Sequence, residues 1–568
     1  SYSVSSKQAT DGTVKKVTPT ANTLEEGTQL PNVLLMQNAY GNTLTFHAAQ
    51  TTTDATGTTT YSTDYVLHVK RGLTLQKLEI TGVTLNFLRA HKTYTITVPA
   101  AQATLSLTAT AWDNARYNDT DGGYDLYVNG KAAESGKASA IELSGTSETE
   151  TVTVTVKSRD GLSADTTYTI TVQKAVGSQV TFNVEPTGAL LYIFDKDSGN
   201  RVWPDDGGAC GISTGFTYGY SVTKQGYVGE SGYFKLEDNN LVFGVMKSSE
   251  VDYSGGETHN IDTPYQISLE AAPKNTQINE NLPSAWPNFR GSASNNGVTT
   301  AKTPVEAEAG TLYWAVPIGS DYGLGAVSSP ILVDGDLVVN KGNAILKIDK
   351  DTGEIKKTGT MVGSSSFAIN GPTYADGVIL VGLANGLVQA FNAETLESLW
   401  VYADLLGGQP NSPITVHNGY AYTGFWNSET GNAAFVCLSL TDEDPTEKRE
   451  SKPATWRHVQ AGGFYWAGAY ACDDFVMVGT DDGDGSCTSP TANLLLFEPE
   501  TGRLLDSKTN LIGDIRSTIC YDDATNAYYF TTKGGYFYKV TVSRQIDGTY
   551  KLGEPEKIAL GGMSTSTP

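Results

Sequence analysis

Apolar and polar residues alternate along much of this chain. In "TDYVLHVKR" (63–71) and "TTYTITVQK" (166–174) every second position is apolar, so Tyr65, Leu67 and Val69 share one strand face, as do Tyr168, Ile170 and Val172. In both places another β-run starts almost at once, with no helix between, which suits a strand that ends one sandwich and feeds the next. The runs "LTLQKLEITGVTL", "KTYTITVPA", "ATLSLTATA", "YDLYVNGKAA", "ASAIELS", "ETVTVTVKSRDG" and "TTYTITVQK" make residues 73–175 a complete sandwich. Within it Asn129–Gly130 predicts a tight type I′ hairpin, since both central positions need positive φ. Extended amphipathic helical patterns are scarce, and the whole chain reads as all-β.

The organisation predicted is tandem β-sandwiches followed by a β-propeller. Residues 1–72 fit the sandwich template from its second strand onward, with "SYSVSS" in the place of "TYTITVPA", and so lack a first strand. Residues 178–273 form a smaller sandwich, and the polar, aperiodic stretch around 274–285 is a linker. Beyond it Pro330, Pro372 and Pro413 recur at spacings of 42 and 41 residues. A four-strand unit repeating every 40–45 residues or so means propeller blades. Residues 286–568 are thus a propeller of four-stranded blades, cut at the start of about the sixth, with Ser566–Thr567–Pro568 in the slot of Ser328–Ser329–Pro330.

These patterns resemble known families. Gly82, Tyr94 with the strand to Pro99, and the closing Tyr168 strand make residues 73–175 similar to the cadherin-like β-sandwich repeat of bacterial surface proteins. Pro186, Gly188, Tyr220, Val222, Lys224, Gly226 and Tyr227 make 178–273 similar to PEGA-type and carboxypeptidase-regulatory-like sandwiches, which are spacers or binders. The blade pattern ends in turns such as Asp351–Thr352–Gly353 and Pro499–Glu500–Thr501–Gly502 and resembles the pyrroloquinoline-quinone-like propeller repeat. That resemblance raises a quinone-dependent dehydrogenase, but the adjacent cysteine pair of those enzymes is missing here. The resemblance otherwise implies a noncatalytic scaffold.

Charge narrows the partners. With 62 acidic against 39 basic residues the formal net charge is −23, and no Lys/Arg cluster offsets it, so nucleic acid and anionic membrane surfaces are poor partners. No run approaches the roughly 20 apolar residues of a spanning helix. The five cysteines form no CxxC and the six histidines no metal-ligand spacing.

Two loops carry carboxylates at close spacing, "NDTDGGYD" with Asp119, Asp121 and Asp125, and "DDGDGSC" with Asp481, Asp482 and Asp484. Oxygen-rich, glycine-bearing loops of this kind make Ca²⁺ the one candidate ion. Propeller topology adds a second constellation. Loops entering successive blades and loops joining second to third strands open on one face, which brings Phe425, Trp426, Asn427 and Glu429 toward Phe464, Tyr465 and Trp466. Aromatic faces beside carboxylates and amides suit a sugar or a peptide. The expectation is a noncatalytic bacterial protein of the cell surface or exterior, displaying its propeller on a sandwich stalk for adhesion to an extracellular glycan or protein ligand. An envelope-assembly scaffold is the alternative.

Overall fold

The computed structural model describes residues 2–7, 14–17, 42–54, 57–69, 74–81, 83, 85, 87–89, 91–100, 102–111, 124–144, 149–159, 165–302, 312–319, 327–365, 371–546 and 548–568. The chain divides into two compact units, residues 1–178 with 212–214, and 179–211 with 215–568.

In the first unit, the described part of residues 1–72 is one antiparallel sheet in the order Val14–Val17, Tyr2–Lys7, Asn42–Asp54, Gly57–Val69. Tyr2–Lys7 pairs antiparallel with Asn42–Asp54, whereas its supposed counterpart Thr93–Val98 pairs parallel with the closing strand Thr166–Lys174. Among the described residues Tyr2–Lys7 thus lies on the far side of Asn42–Asp54, and the correspondence read between the two domains does not extend to the pairing of that strand.

The second domain is a sandwich. Ala138–Glu142, Thr104–Ala111 and Leu75–Ile80 face a five-stranded sheet of Thr93–Val98, Thr166–Lys174, Thr149–Ser158, Tyr124–Val128 and Lys131–Ala133. Alternation sets its core: Leu105, Leu107, Ala109 and Ala111 point inward with Val152, Val154, Val156, Tyr168, Ile170 and Val172. Asn129 and Gly130 adopt φ of 48° and 75°, as the hairpin requires.

The second unit opens with the smaller sandwich, in which Gly177–Glu185 runs parallel to Tyr265–Ser268 and a larger sheet is built on Leu190–Asp195, Thr217–Thr223, Glu230–Glu237 and Asn240–Lys247. Lys224 Nζ donates to Thr187 O at 2.6 Å, tying the Pro186–Gly188 turn to the "K-x-G-Y" segment.

Five successive sheets follow, led by Ile331–Val333, Thr373–Ala375, Thr415–His417, Tyr470–Ala471 and Cys520–Asp522. Each runs antiparallel through four strands. The first hairpins of the first three blades turn at Asp334–Gly335, Asp376–Gly377 and Asn418–Gly419, all with positive φ. Blades are keyed together by glycines at one repeated position. A Cβ on Gly424 would lie 2.3 Å from Phe464 Cβ, and one on Gly479 2.2 Å from Ile515 Cγ2. The loop entering the next blade thus rests directly on the backbone. The Thr–Gly turns have the same logic: Trp456 donates to Pro499 O at 2.9 Å and lies on Gly502, while Trp314 donates to Lys350 O at 3.0 Å and lies on Gly353.

The stretch 274–285 is not a free linker. Leu282 enters the apolar cluster of the first two blades, Gln277 O accepts from Asn392 Nδ2 at 2.9 Å, and Leu282 O accepts from Tyr374 Oη at 2.9 Å. Its polarity reflects hydrogen bonding to the blades. The smaller sandwich is equally tied, since Tyr192 and Phe194 share one apolar cluster with Tyr422, Phe435, Trp456, Phe464 and Phe497. Ser221 Oγ donates to Ala454 O at 2.8 Å and Gly229 N to Glu443 Oε2 at 2.6 Å. The smaller sandwich and the third and fourth blades thus share one apolar cluster.

Candidate functional site

The third, fourth and fifth blades bring three loops together. Gln409 and Trp426 exchange backbone hydrogen bonds of 2.7 and 3.2 Å, which fixes the loop between the second and third strands of the third blade against the loop that enters that blade. Ser412 Oγ donates to Phe464 O, extending the tie to the loop entering the fourth blade. Trp426 and Tyr465 then stack with ring centroids 4.4 Å apart and planes at 23°, and Tyr465 stacks on Trp466 at 4.6 Å and 22°. Trp466 holds φ +60°, a conformation that only tight packing maintains in a bulky residue.

Arg516, from the loop entering the fifth blade, anchors the stack. Its guanidinium carbon lies 4.7 Å from the Tyr465 ring centre and 6.0 Å from each indole. It pairs with Glu429, with Asp481 at 2.6 Å and with Asp514 at 2.8 Å. Burial opposes the guanidinium charge, but these carboxylates more than offset it and keep Arg516 cationic. Asp482 accepts N–H bonds from Asp484 and Ser489, each 2.8 Å; burial, reinforced by the Asp514 charge, pushes its carboxyl up to about 7. Asn427 donates to Leu406 O at 3.2 Å, which ties the segment of the exposed Leu405 and Leu406 to the loop that carries Trp426.

Several residues expected to face a ligand do not. Phe425 and Phe464 are fully buried, Phe425 between the second and third blades and Phe464 on Gly424 between the third and fourth. They are core residues because blade-to-blade packing needs bulk opposite each keyed glycine. Trp426, Tyr465, Trp466 and Glu429 are half-buried, and Asn427 is exposed.

The carboxylates expected to form an ion site are divided among separate partners. Asp481 neutralises Arg516, Asp482 caps a turn, and Asp484 accepts from the Ser486 and Ser489 hydroxyls. Asp125 pairs with Arg159 at 2.7 Å, while Asp119 and Asp121 lie outside the described residues. A different trio, Glu429, Cys487 and Asp514, brings its donor atoms within 4.8 Å of one another. Burial pushes the Cys487 thiol up to about 11, so it keeps its proton, and a thiol is a poor partner for hard Ca²⁺. With Arg516 already bound to both acids, the set does not fit Ca²⁺. Nor does it fit a quinone bearing several carboxylates, which would meet Glu429, Asp481, Asp482 and Asp514 here and a guanidinium already committed to acids.

Sequence reasoning did not single out Arg516, Cys487 or the two leucines. A lone basic residue two positions after Asp514 gives no local signal of Glu429 and Asp481, which it also neutralises.

Comparison with known proteins defines the class. Residues 75–175 match the family model of the cadherin-like beta sandwich domain, and residues 302–431 match that of the outer membrane protein assembly factor BamB. The protein is an all-β chain joining a cadherin-like sandwich to a PQQ-like, BamB-type propeller. No curated protein matches it in sequence. Among solved structures it is similar to the quinohemoprotein alcohol dehydrogenase of Comamonas testosteroni, at 16% identity over 50% of each chain with a TM-score of 0.37. It is similar to BamB from Moraxella catarrhalis at 13% identity, over 42% of this chain and 65% of that one, with a TM-score of 0.30. The quinohemoprotein alcohol dehydrogenase ADHIIG from Pseudomonas putida HK5 aligns at 14% identity over 50% of each chain, with a TM-score of 0.38. The chain thus spans about half the length of the two dehydrogenases. Among the described residues no helix is long and apolar enough to cross a membrane.

Proposed function

We propose that the propeller is a noncatalytic binding platform of an extracellular or envelope protein, and that the rim around Trp426, Tyr465 and Trp466 takes a glycan or protein ligand. The stacked, half-buried rings carry this reading, because they stay partly open to solvent while the ion-paired Arg516 fixes them in place. Rigid aromatic anchors of this kind lose little conformational freedom on binding. The match of residues 302–431 to BamB supports a second reading, a scaffold in envelope assembly, in which the same rim meets a protein.

Glycan and peptide arrays probed with the whole chain test the platform. Trp426→Ala is expected to lower binding by about 1–3 kcal/mol, the range of a modest hot spot. Full retention of binding in that variant, with its fold intact, would remove the rim from the proposal. A peptide hit without a glycan hit would favour the scaffold reading.

A further inference from the structure

A second aromatic site lies where the smaller sandwich meets the fourth blade, away from the rim. Trp203 is 40% exposed there. The Arg201 guanidinium carbon sits 3.5 Å from the centre of its ring, and that of Arg503, from the Thr501–Gly502 turn, lies 5.6 Å away. Arg201 is fixed by a bond from Nη1 to Thr501 O and by a second aromatic contact, 4.9 Å from the Tyr192 ring centre. Its Nε is buried and makes no hydrogen bond.

Two features separate this place from an ordinary surface tryptophan. In a chain with net charge −23, two guanidinium groups converge here, and among the described residues neither is in a salt bridge with a carboxylate. Glu498 accepts from the Thr501 hydroxyl and makes no salt bridge with either guanidinium. Burial brings Arg201 down to about 10, with the like charge of Arg503 adding to the effect against Tyr192, Cys210 and Glu498. Arg201 and Arg503 also come from two different modules that share one core, so their spacing is fixed.

We propose that Arg201, Trp203 and Arg503 bind an acidic sugar, a pyranose ring carrying one carboxylate, as in a hexuronate. The exposed Arg503 guanidinium can meet a carboxylate in a planar, two-bond geometry, Arg201, held to Thr501 O and stacked on the indole, adds its charge, and the exposed part of the indole offers an apolar surface to a sugar ring. Two cations beside one indole suit a sparse charge on an apolar ring better than the dense, strongly hydrated charge of a polyphosphate. One carboxylate per ring matches a patch of two cations.

Isothermal titration of the full chain with an oligogalacturonate decides the matter, with a neutral oligosaccharide of equal length and free acetate as comparators. The oligogalacturonate is expected to bind, more weakly as salt rises, and the comparators to give no heat. Arg503→Gln is expected to weaken binding at least tenfold with an unchanged melting temperature, since Arg503 is exposed; Trp203→Ala is expected to do the same. No binding of the oligogalacturonate, equal affinity for the neutral chain, or unaltered affinity in Arg503→Gln would each overturn the proposal. Tighter binding of an aspartate-rich peptide than of the sugar would overturn the saccharide assignment.

Discussion

The sandwich of residues 75–175 and the propeller keep water out in different ways. Among the described residues of the sandwich the buried set is aliphatic apart from Tyr168, and no charged group is buried. The propeller buries whole ion pairs: Arg457 with Asp404, Lys452 with Glu443, Arg516 with Asp481 and Asp514, and Lys347 with Asp336. A sandwich has two faces and needs one of each strand to be apolar. Inner blade strands are covered on both faces, so every polar residue the repeat places there must carry its partner with it. The first core should fail by cavity formation and the second by loss of a counter-charge.

The largest effect is expected at Arg457. It makes two hydrogen bonds to Asp404, at 2.8 and 2.9 Å, and Tyr402 Oη donates to the same carboxylate at 2.7 Å. Replacing Arg457 with Leu leaves the Asp404 charge buried and should cost about 3–5 kcal/mol, whereas Arg457→Leu combined with Asp404→Leu should cost much less. Denaturant melts of both variants check this. Equal costs would mean that packing, not charge, dominates this core. In the sandwich, Leu107→Ala should cost about 2–5 kcal/mol from lost burial and an unfilled cavity. No compensating second substitution is available there.

The contrast explains what could be read along the chain. The sandwich was legible because its buried positions alternate: Leu105, Leu107 and Ala109 are spaced by two and need only be apolar. The blades were legible from their turns, since Asp334–Gly335 and Asp376–Gly377 need positive φ wherever they fall. Two kinds of fact were not legible. Phe425 and Trp426 are neighbours in sequence, yet one is core and the other is on the rim; the choice depends on Gly408 and Phe464, far away along the chain. The docking of the smaller sandwich rests on Tyr192 and Phe194, which look like ordinary strand residues until Trp456 and Phe497 are placed beside them.

Acid titration sharpens the comparison. Burial pushes the Glu450 carboxyl up to about 7, with Glu443 and Asp442 adding to the effect against the opposing Glu443 N–H and Lys452. A carboxyl that binds its proton more tightly when folded stabilises the fold while protonated, and that contribution fades as pH rises from about 4.5 to 7. Buried His458, brought down to about 4 chiefly by desolvation, works in the opposite direction, adding stability as pH rises from 4 to its unfolded value. The Glu450 contribution is isolated by Glu450→Gln, which keeps the acceptor for Glu443 N at 2.8 Å without an ionisable proton. Between pH 5 and 7.5 the variant should gain stability relative to the parent on the order of 1–2 kcal/mol. A parallel pH dependence of the two proteins would place the propeller's titration elsewhere.

The smallest expected effect tests whether the sandwich really avoids buried charge. Tyr168 Oη is the polar hub of its core: it accepts from Leu75 N at 3.2 Å and from Lys92 Nζ at 2.8 Å, and donates to Arg89 O at 3.2 Å. Tyr168→Phe keeps the ring, its 5.6 Å contact with Phe87 and the Lys92 ammonium 4.0 Å above it, and removes only the hydroxyl. Leu75 is fully buried, so its N–H is left without an acceptor, a loss of about 1–2 kcal/mol. Lys92 is only part-buried and can turn to water, so no charge is stranded. Melting the variant and the parent checks this. A loss well beyond about 2 kcal/mol would show that the Lys92 charge depends on Tyr168, and the sandwich would then share the propeller's reliance on paired charges.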